Sequence, residues 1–427
     1  MQKVEWTFLD VSTRKYTHAL HLYPARLHPE IARRIISKYA INKSDVVFDP
    51  FMGSGSVLLE SILHGNTVIG IDINPFAVLL SKVKTTPIFK NMNNTLNRLL
   101  SKSARDHLDR NYHLECQPDD MDIANWFGDD TARILSILKY HVFKIMDKDV
   151  KDFFKICLSL TIRKSSYQRN GSWKIHRMLP TDQTTFKPQT IDIFKNIVTD
   201  NIVKMNNLVN SKPSAKAHVL CGDSRDISKN FSKLDSDVLC DDKAHLVVSS
   251  PPYGDHKTTV AYGQFSRFSS LWLDLPKERV LSVDKIGLGG KHKMFFDDLG
   301  SKTLNKTLDK VHKNDIKLTL NNKKPVRTKD VYSFFYDFDK CLNEISKNLI
   351  PDKSHCGFIV ANRTVRRIVI PTDQILVELG KKYGFKVEQI IYRSIPNKSM
   401  PSKNAPENIT NDIGKTMTRE SVIMMRY

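Results

Sequence analysis

The chain has 427 residues, 40% hydrophobic and 26% charged, which excludes a wholly disordered chain and leaves room for a full hydrophobic core. Lys and Arg total 66 against 46 Asp and Glu, and a formal net charge of +20 points to a polyanionic partner, nucleic acid first. The most apolar stretch, Val68 to Leu80, is broken by Asp72 and Asn74 and is too short to span a bilayer, so no membrane partner is expected.

The six cysteines form no CxxC pair, so neither a zinc ribbon nor a redox dithiol is signalled and no metal site is expected. Scattered thiols, with an N-terminus lacking the apolar core of a secretory signal, predict a cytoplasmic, nucleoid-associated protein.

In chain order, residues 28–40 read as an amphipathic helix with Ile31, Ile35 and Ile36 on one face. Val46 to Phe48 is a short buried strand running into Asp49-Pro-Phe-Met-Gly-Ser-Gly55, and Ser56 to His64 reads as a helix that Gly65 ends. Thr67 to Ile71 is a second strand, closed by Asp72. From about 88 to 215 the pattern becomes helical and basic. Strand signals return at His218 to Leu220 and at His245 to Val248, just before Ser250-Pro-Pro-Tyr253. Residues 285–330, rich in Gly, Lys and Asn, read as a basic loop. Helix, strand, helix, strand and a last strand follow at 331–349, 357–361, 375–383, 386–392 and 421–425. The alternation predicts an α/β fold, a doubly wound, mostly parallel sheet with a helical insert. Residues 1–87 and 216–427 form its two parts, and 88–215 is the insert.

The two glycines of the Asp49 to Gly55 loop stand between a strand and a helix, where they allow a sharp turn and close approach of a ligand to the main chain. It is not a P-loop, because no Gly-Lys-Ser/Thr follows, and the third glycine of the dinucleotide fingerprint is absent. Asp72 is placed to accept hydrogen bonds from both hydroxyls of a ribose. The plainer alternative is a tight strand–helix turn and an unrelated acid. In the second motif, two prolines stiffen the chain and the first removes a backbone donor. Ser250 and the Pro251 carbonyl offer acceptors for an amino group, and Tyr253 offers a flat face for a base. Against this stands a structural Pro-Pro turn with a packed tyrosine.

Together these residues resemble the amino-methyltransferases of DNA, which use S-adenosylmethionine and carry a Phe-x-Gly-x-Gly cofactor loop and an (Asp/Asn/Ser)-Pro-Pro-(Tyr/Phe) catalytic loop. Phe51 to Gly55 and Ser250 to Tyr253 match them. His21-Leu-Tyr-Pro-Ala-Arg26 is similar to the family's N-terminal cofactor wall, Gly70 to Pro75 to its ribose-binding segment, and Gly222-Asp223-Ser224 to the segment that reaches the adenine end of the cofactor. Ile395 to Pro401 resembles a C-terminal run of cytosine-N(4) members. The resemblance covers roughly 16–85 and 216–425. It implies a Rossmann-like methyltransferase fold, S-adenosylmethionine as cofactor, Ser250, Pro251, Pro252 and Tyr253 as catalytic residues, and Tyr23, Pro24, Asp49, Phe51, Gly53, Gly55, Asp72, Ile73 and Asp223 as cofactor-binding residues.

Serine in first position leans toward cytosine-N(4) by family association, aspartate toward adenine-N(6). The expectation is therefore a site-specific cytosine-N(4) methyltransferase acting on double-stranded DNA by base flipping and direct transfer. It would serve as the modification enzyme of a restriction-modification system, with a separate cognate restriction endonuclease. Adenine-N(6) modification is the alternative, and an amino-methyltransferase of RNA a more remote one. Carbon-5 cytosine chemistry is disfavoured, because the chain has no Pro-Cys dipeptide to supply its nucleophile. Between Thr161 and Leu179, Arg163, Lys164, Arg169, Lys174 and Arg177 interleave with Tyr167 and Trp173 without an acid, a pattern suited to DNA phosphates. Target recognition is expected in the 88–215 insert, and Arg267 and Arg363 are further candidates for a phosphate contact.

Overall fold

The computed structural model describes residues 6–427 except 111–112, 170–174, 237, 240–242, 257–258, 294–295, 323–325, 396–402, 405–413 and 416–418. The chain begins with helix α1 (Pro29–Tyr39), whose amide at Glu30 is capped by the His28 ring and whose first position is a proline with φ already helical. Strand β1 (Val47–Asp49), helix α2 (Ser56–His64), strand β2 (Val68–Asp72) and helix α3 (Pro75–Thr85) follow as a right-to-schedule strand–helix alternation. Asn74 caps α3 by accepting the Phe76 amide, and Pro75 again takes the first helical position.

Four long helices, α4 (Met92–Leu108), α5 (Asp129–Phe143), α6 (Lys148–Ser165) and α7 (Thr190–Asn210), fill the helical stretch. The sheet resumes with β3 (Ala217–Cys221) and β4 (Leu246–Ser249), followed by α8 (Tyr262–Trp272), α9 (Lys277–Ile286), α10 (Lys302–Asn322) and α11 (Thr328–Lys347). Strand β5 (His355–Val360), helix α12 (Thr372–Lys382), strand β6 (Lys386–Ser394) and strand β7 (Arg419–Arg426) complete it.

The seven strands lie in the order β3-β2-β1-β4-β5-β7-β6, parallel except β7, which runs antiparallel to both neighbours. Alternation along the strands builds a core on each face. Val47 pairs with Val68 and Leu246, and all three face the core shared with α1 to α8. Phe48 pairs with Ile69 and Val247, and these face the core under α10, α11 and α12. Leu99, Leu135, Phe153 and Phe194, on α4 to α7, belong to the same apolar cluster as the sheet's first face.

The expected loop at 285–330 is corrected in part: it holds α10, a 21-residue helix. Among its described side chains, Leu304, Leu308 and Val311 at helical spacing face the core, and Lys, Asn and Asp around them hide that stripe in the sequence. Among the described residues no helix is long and apolar enough to cross a membrane.

Candidate active site

The strand order reverses between β1 and β4, and a cleft opens at the carboxyl ends of the parallel strands there, as expected for an open α/β sheet. Asp49 ends β1, Asp72 ends β2, Asp223 stands two residues beyond β3, and Ser250 follows β4 directly. All four line this one cleft, which encloses about 1060 Å³ of space, part of it open to solvent.

The glycine loop is held from several sides. Gly53 adopts φ +48° and Gly55 φ +72°, and a Cβ at Gly55 would come 2.8 Å from the Ser81 hydroxyl. Ser81 Oγ donates to the Gly53 carbonyl at 2.9 Å, and the buried Lys84 ammonium donates to the Ser54 carbonyl at 2.7 Å. The Gly53 amide donates to Asp72 Oδ2 at 3.0 Å. Asp49 accepts the Ser249 hydroxyl at 2.6 Å and the Phe51 amide at 3.1 Å. Burial pushes the Asp49 carboxyl up to about 7 and that of Asp72 up to about 6, although hydrogen bonds pull both down. A buried carboxyl at Asp49 and a half-buried one at Asp72 favour a ligand that brings positive charge or hydroxyl donors.

Tyr23 closes another side. Its ring stacks near Tyr262 at 5.8 Å and meets Phe265 edge-on at 5.9 Å, and burial holds its phenol well above the usual range. Asp284 caps α8 by accepting the amides of Gly263 and Gln264, both at 2.9 Å. Asp223 is gripped by Arg225, whose guanidinium also donates to the Ile286 carbonyl at 2.7 Å and lies 3.1 Å from Asp337.

In the Ser-Pro-Pro-Tyr loop, Ser250 Oγ donates to the Tyr253 hydroxyl at 3.4 Å, which donates to Glu420 Oε1 at 3.0 Å. Just beyond, Asp255 and Arg363 form an ion pair at 2.7 Å with both side chains buried. Arg363 lies on a small hairpin, Arg363–Val365 against Ile368–Ile370. It packs so closely on Gly254 that a Cβ there would stand 2.2 Å from the guanidinium. Arg363 is thus an anchor beneath the loop, not the exposed phosphate ligand its charge suggested.

A family model described as DNA methylase matches residues 2–83. The Type II methyltransferase M.MvaI of Kocuria varians is 34% identical over 438 positions, covering 98% of this chain and 93% of that protein. The chain belongs to the amino-methyltransferases of DNA. The Type II methyltransferase M.MjaII of Methanocaldococcus jannaschii is 37% identical over 70 residues, 16% of this chain and 13% of that one. The rRNA methyltransferase aviRa from Streptomyces viridochromogenes superposes at a TM-score of 0.33 with 10% identity, covering 95% of this chain and 88% of that chain. So loose a superposition leaves the fold to the strand order, which is that of a Rossmann-like methyltransferase sheet.

This amino-methyltransferase uses S-adenosylmethionine, and the cleft fits it. Each Asp72 oxygen accepts one amide, Gly53 or Asn74, and keeps a further acceptor position for a ribose hydroxyl. A side chain at Gly53 would crowd the Tyr23 ring at 3.3 Å, so the backbone there stays bare beside the cleft. Tyr23, Pro24, Asp49, Phe51, Gly53, Asp72, Ile73, Asp223, Ser250 and Pro252 line one cleft, whereas Gly55, Pro251 and Tyr253 are not in its lining. Gly55 shapes the start of α2, and Tyr253 faces Glu420.

Sequence reasoning missed Arg225, His256, Tyr262 and Asp284, all in the lining, and gave Asn74 no role of its own within the Gly70 to Pro75 segment. Asn74 was the most accessible of these, since Asp-x-Asn-Pro reads as a helix cap after a strand.

Of the described basic candidates, Arg163, Lys164, Arg169 and Arg177 do not line the cleft. Arg163 lies over the Phe265 ring at 4.5 Å, while Lys164, Arg169 and Arg177 are exposed. Gln168 pairs antiparallel with Arg177, and the Arg169 amide donates to His176 at 2.8 Å. Lys174, Trp173 and residues 396–401 lie outside the described residues.

Proposed function

We propose that the protein is a site-specific methyltransferase that modifies cytosine at N(4) in double-stranded DNA, acting on a base turned out of the helix. The observation that carries this reading is that Ser250 and Pro252 line the same cleft as Gly53 and Asp72. A target amino group would therefore meet the cofactor site, and it would meet serine in place of aspartate.

S-adenosylmethionine supplies a methyl group on a positively charged sulfur. Asp72 and Ile73 hold its ribose end, Asp223 its adenine end, and Tyr23, Pro24, Asp49, Phe51 and Gly53 the rest of its wall. Ser250 Oγ and the Pro251 carbonyl accept the two amino hydrogens of the base. This draws the nitrogen toward tetrahedral geometry and frees its lone pair for direct attack. Turning the base out costs a few kcal/mol, offset by the contacts of the cleft. Much of the acceleration is then positioning.

The exposed cations Lys164, Arg169 and Arg177 contact phosphates, and the 88–215 helices choose the target site. The near full-length likeness to a Type II methyltransferase supports a role in restriction-modification, with a separate endonuclease acting on the same site.

Ser250→Ala tests the reading. Loss of the acceptor should lower kcat about 100-fold and leave DNA affinity within about threefold, since phosphate contacts dominate it. Equal losses in both would overturn the role of Ser250.

A further inference from the structure

Ser250, Tyr253 and Glu420 form a hydrogen-bonded chain whose direction is set at its far end. Glu420 lies on β7 opposite Arg393 of β6, and the two side chains pair at 2.5 Å with the guanidinium 4% exposed. Arg393 is itself held by the Trp6 carbonyl at 2.8 Å. A carboxylate paired with a buried guanidinium has no hydrogen to donate. The Tyr253 hydroxyl therefore donates to Glu420 at 3.0 Å, which commits its single hydrogen. Toward Ser250 the phenolic oxygen can only accept, and Ser250 Oγ donates to it at 3.4 Å. A serine hydrogen pointed at Tyr253, which is not in the cleft lining, leaves only lone pairs for the cleft that Ser250 lines.

We propose that Glu420 sets the hydrogen-bond polarity of Ser250, making the serine a dedicated acceptor that selects bases with an amino group at the reacting position over bases with a carbonyl oxygen there. The proposal rests on the reading of Ser250 as the group that meets the target base. Glu420 touches neither base nor cofactor, so it is a positioning residue acting through Tyr253. An amino base donates into the serine lone pairs. A carbonyl base would set lone pairs against lone pairs and leave both desolvated groups unpaired. Cytosine is thus separated from uracil and thymine by the direction of one hydrogen bond. In Glu420→Gln the shape is kept, but the amide can donate to Tyr253. The phenolic hydrogen then turns to Ser250, and the serine hydrogen turns into the cleft.

The test is a binding measurement on the full-length protein. The wild-type product first fixes the target site and base. A methylated adenine would overturn only the base and move the comparison below to adenine against hypoxanthine. No methylated base would overturn the Ser250 reading and this proposal together. Duplexes then carry cytosine or uracil at the target, each opposite an abasic position so that base pairing does not enter. The wild type should prefer cytosine by about tenfold or more. Glu420→Gln should shrink that preference at least about fivefold, chiefly by tightening on uracil. Tyr253→Phe, which leaves the Glu420–Arg393 pair intact, should shrink it too, and the double variant should go no further. An unchanged preference in a folded Glu420→Gln protein overturns the proposal. Where that variant fails to fold, an unchanged preference in Tyr253→Phe does so.

Discussion

Asp72 and Gly53 are joined: the carboxylate that ends β2 accepts, at 3.0 Å, the amide of the glycine that turns the loop after β1. Its other oxygen accepts the Asn74 amide at 2.8 Å, where α3 begins. One side chain thus couples two strand ends, a helix start and the cleft. Asp72→Ala should weaken S-adenosylmethionine binding about tenfold or more, because charge-assisted hydrogen bonds are lost and the loop loses its tie. Calorimetric titration of the cofactor reads this directly. Unchanged affinity would contradict the ribose assignment.

Asp49 predicts a pH dependence. Burial lifts its carboxyl from the ordinary 3.8 to about 7. The folded state then holds this proton more tightly than the unfolded state. The contribution to stability is full below the unfolded value and is lost as pH rises through the folded one. Burial holds His18, His21 and His28 below the ordinary 6.5, which acts in the opposite sense, so the melting curve of the wild type alone mixes the two. The difference between wild type and Asp49→Asn isolates the carboxyl. Relative to the variant, the ligand-free wild type should lose melting temperature between about pH 4 and about pH 7 and stay level above that. A flat difference would contradict the account.

Arg363 and Asp255 predict a coupled pair. Both side chains are buried, so breaking the pair with Arg363→Met should cost about 3–5 kcal/mol. Adding Asp255→Leu should recover much of the loss, since replacing a whole buried pair is often near neutral. Chemical denaturation of the single and double variants decides it, and additive losses would contradict the pairing.

How much of this was legible in the sequence depended on distance along the chain. The unit from Val46 to Asp72 was readable because every signal is local: a short β-branched strand, glycines where the helix starts, Gly65 where it stops, and an acid at the next strand end. Helix bounds at Ser56 and His64 agree with the structure for that reason. The Tyr253–Glu420 bond spans 167 positions and joins a loop to an antiparallel edge pair, which no local pattern encodes. Arg363 misled because charge alone does not reveal that Asp255 waits beside it in the core. The α10 helix was hidden because its core-facing Leu304, Leu308 and Val311 stand among many polar residues and pack on a core that α11 and α12 share.

The exposed cations predict a salt effect. Lys164 and Arg169 are exposed and lie apart from the cleft lining. If each neutralises one phosphate, Arg169→Ala should weaken DNA binding across sequences and reduce the slope of log K against log salt by about 0.9. Binding titrations at several salt concentrations measure it, and an unchanged slope would place the phosphate contacts elsewhere.

The most direct measurement is the identity of the methylated nucleoside. Purified protein is incubated with labelled S-adenosylmethionine and mixed-sequence duplex DNA, the DNA is digested, and the nucleosides are resolved by mass spectrometry. The account predicts N(4)-methylcytosine. N(6)-methyladenine would contradict the reading of Ser250 as a mark of cytosine while leaving the fold and cofactor site intact.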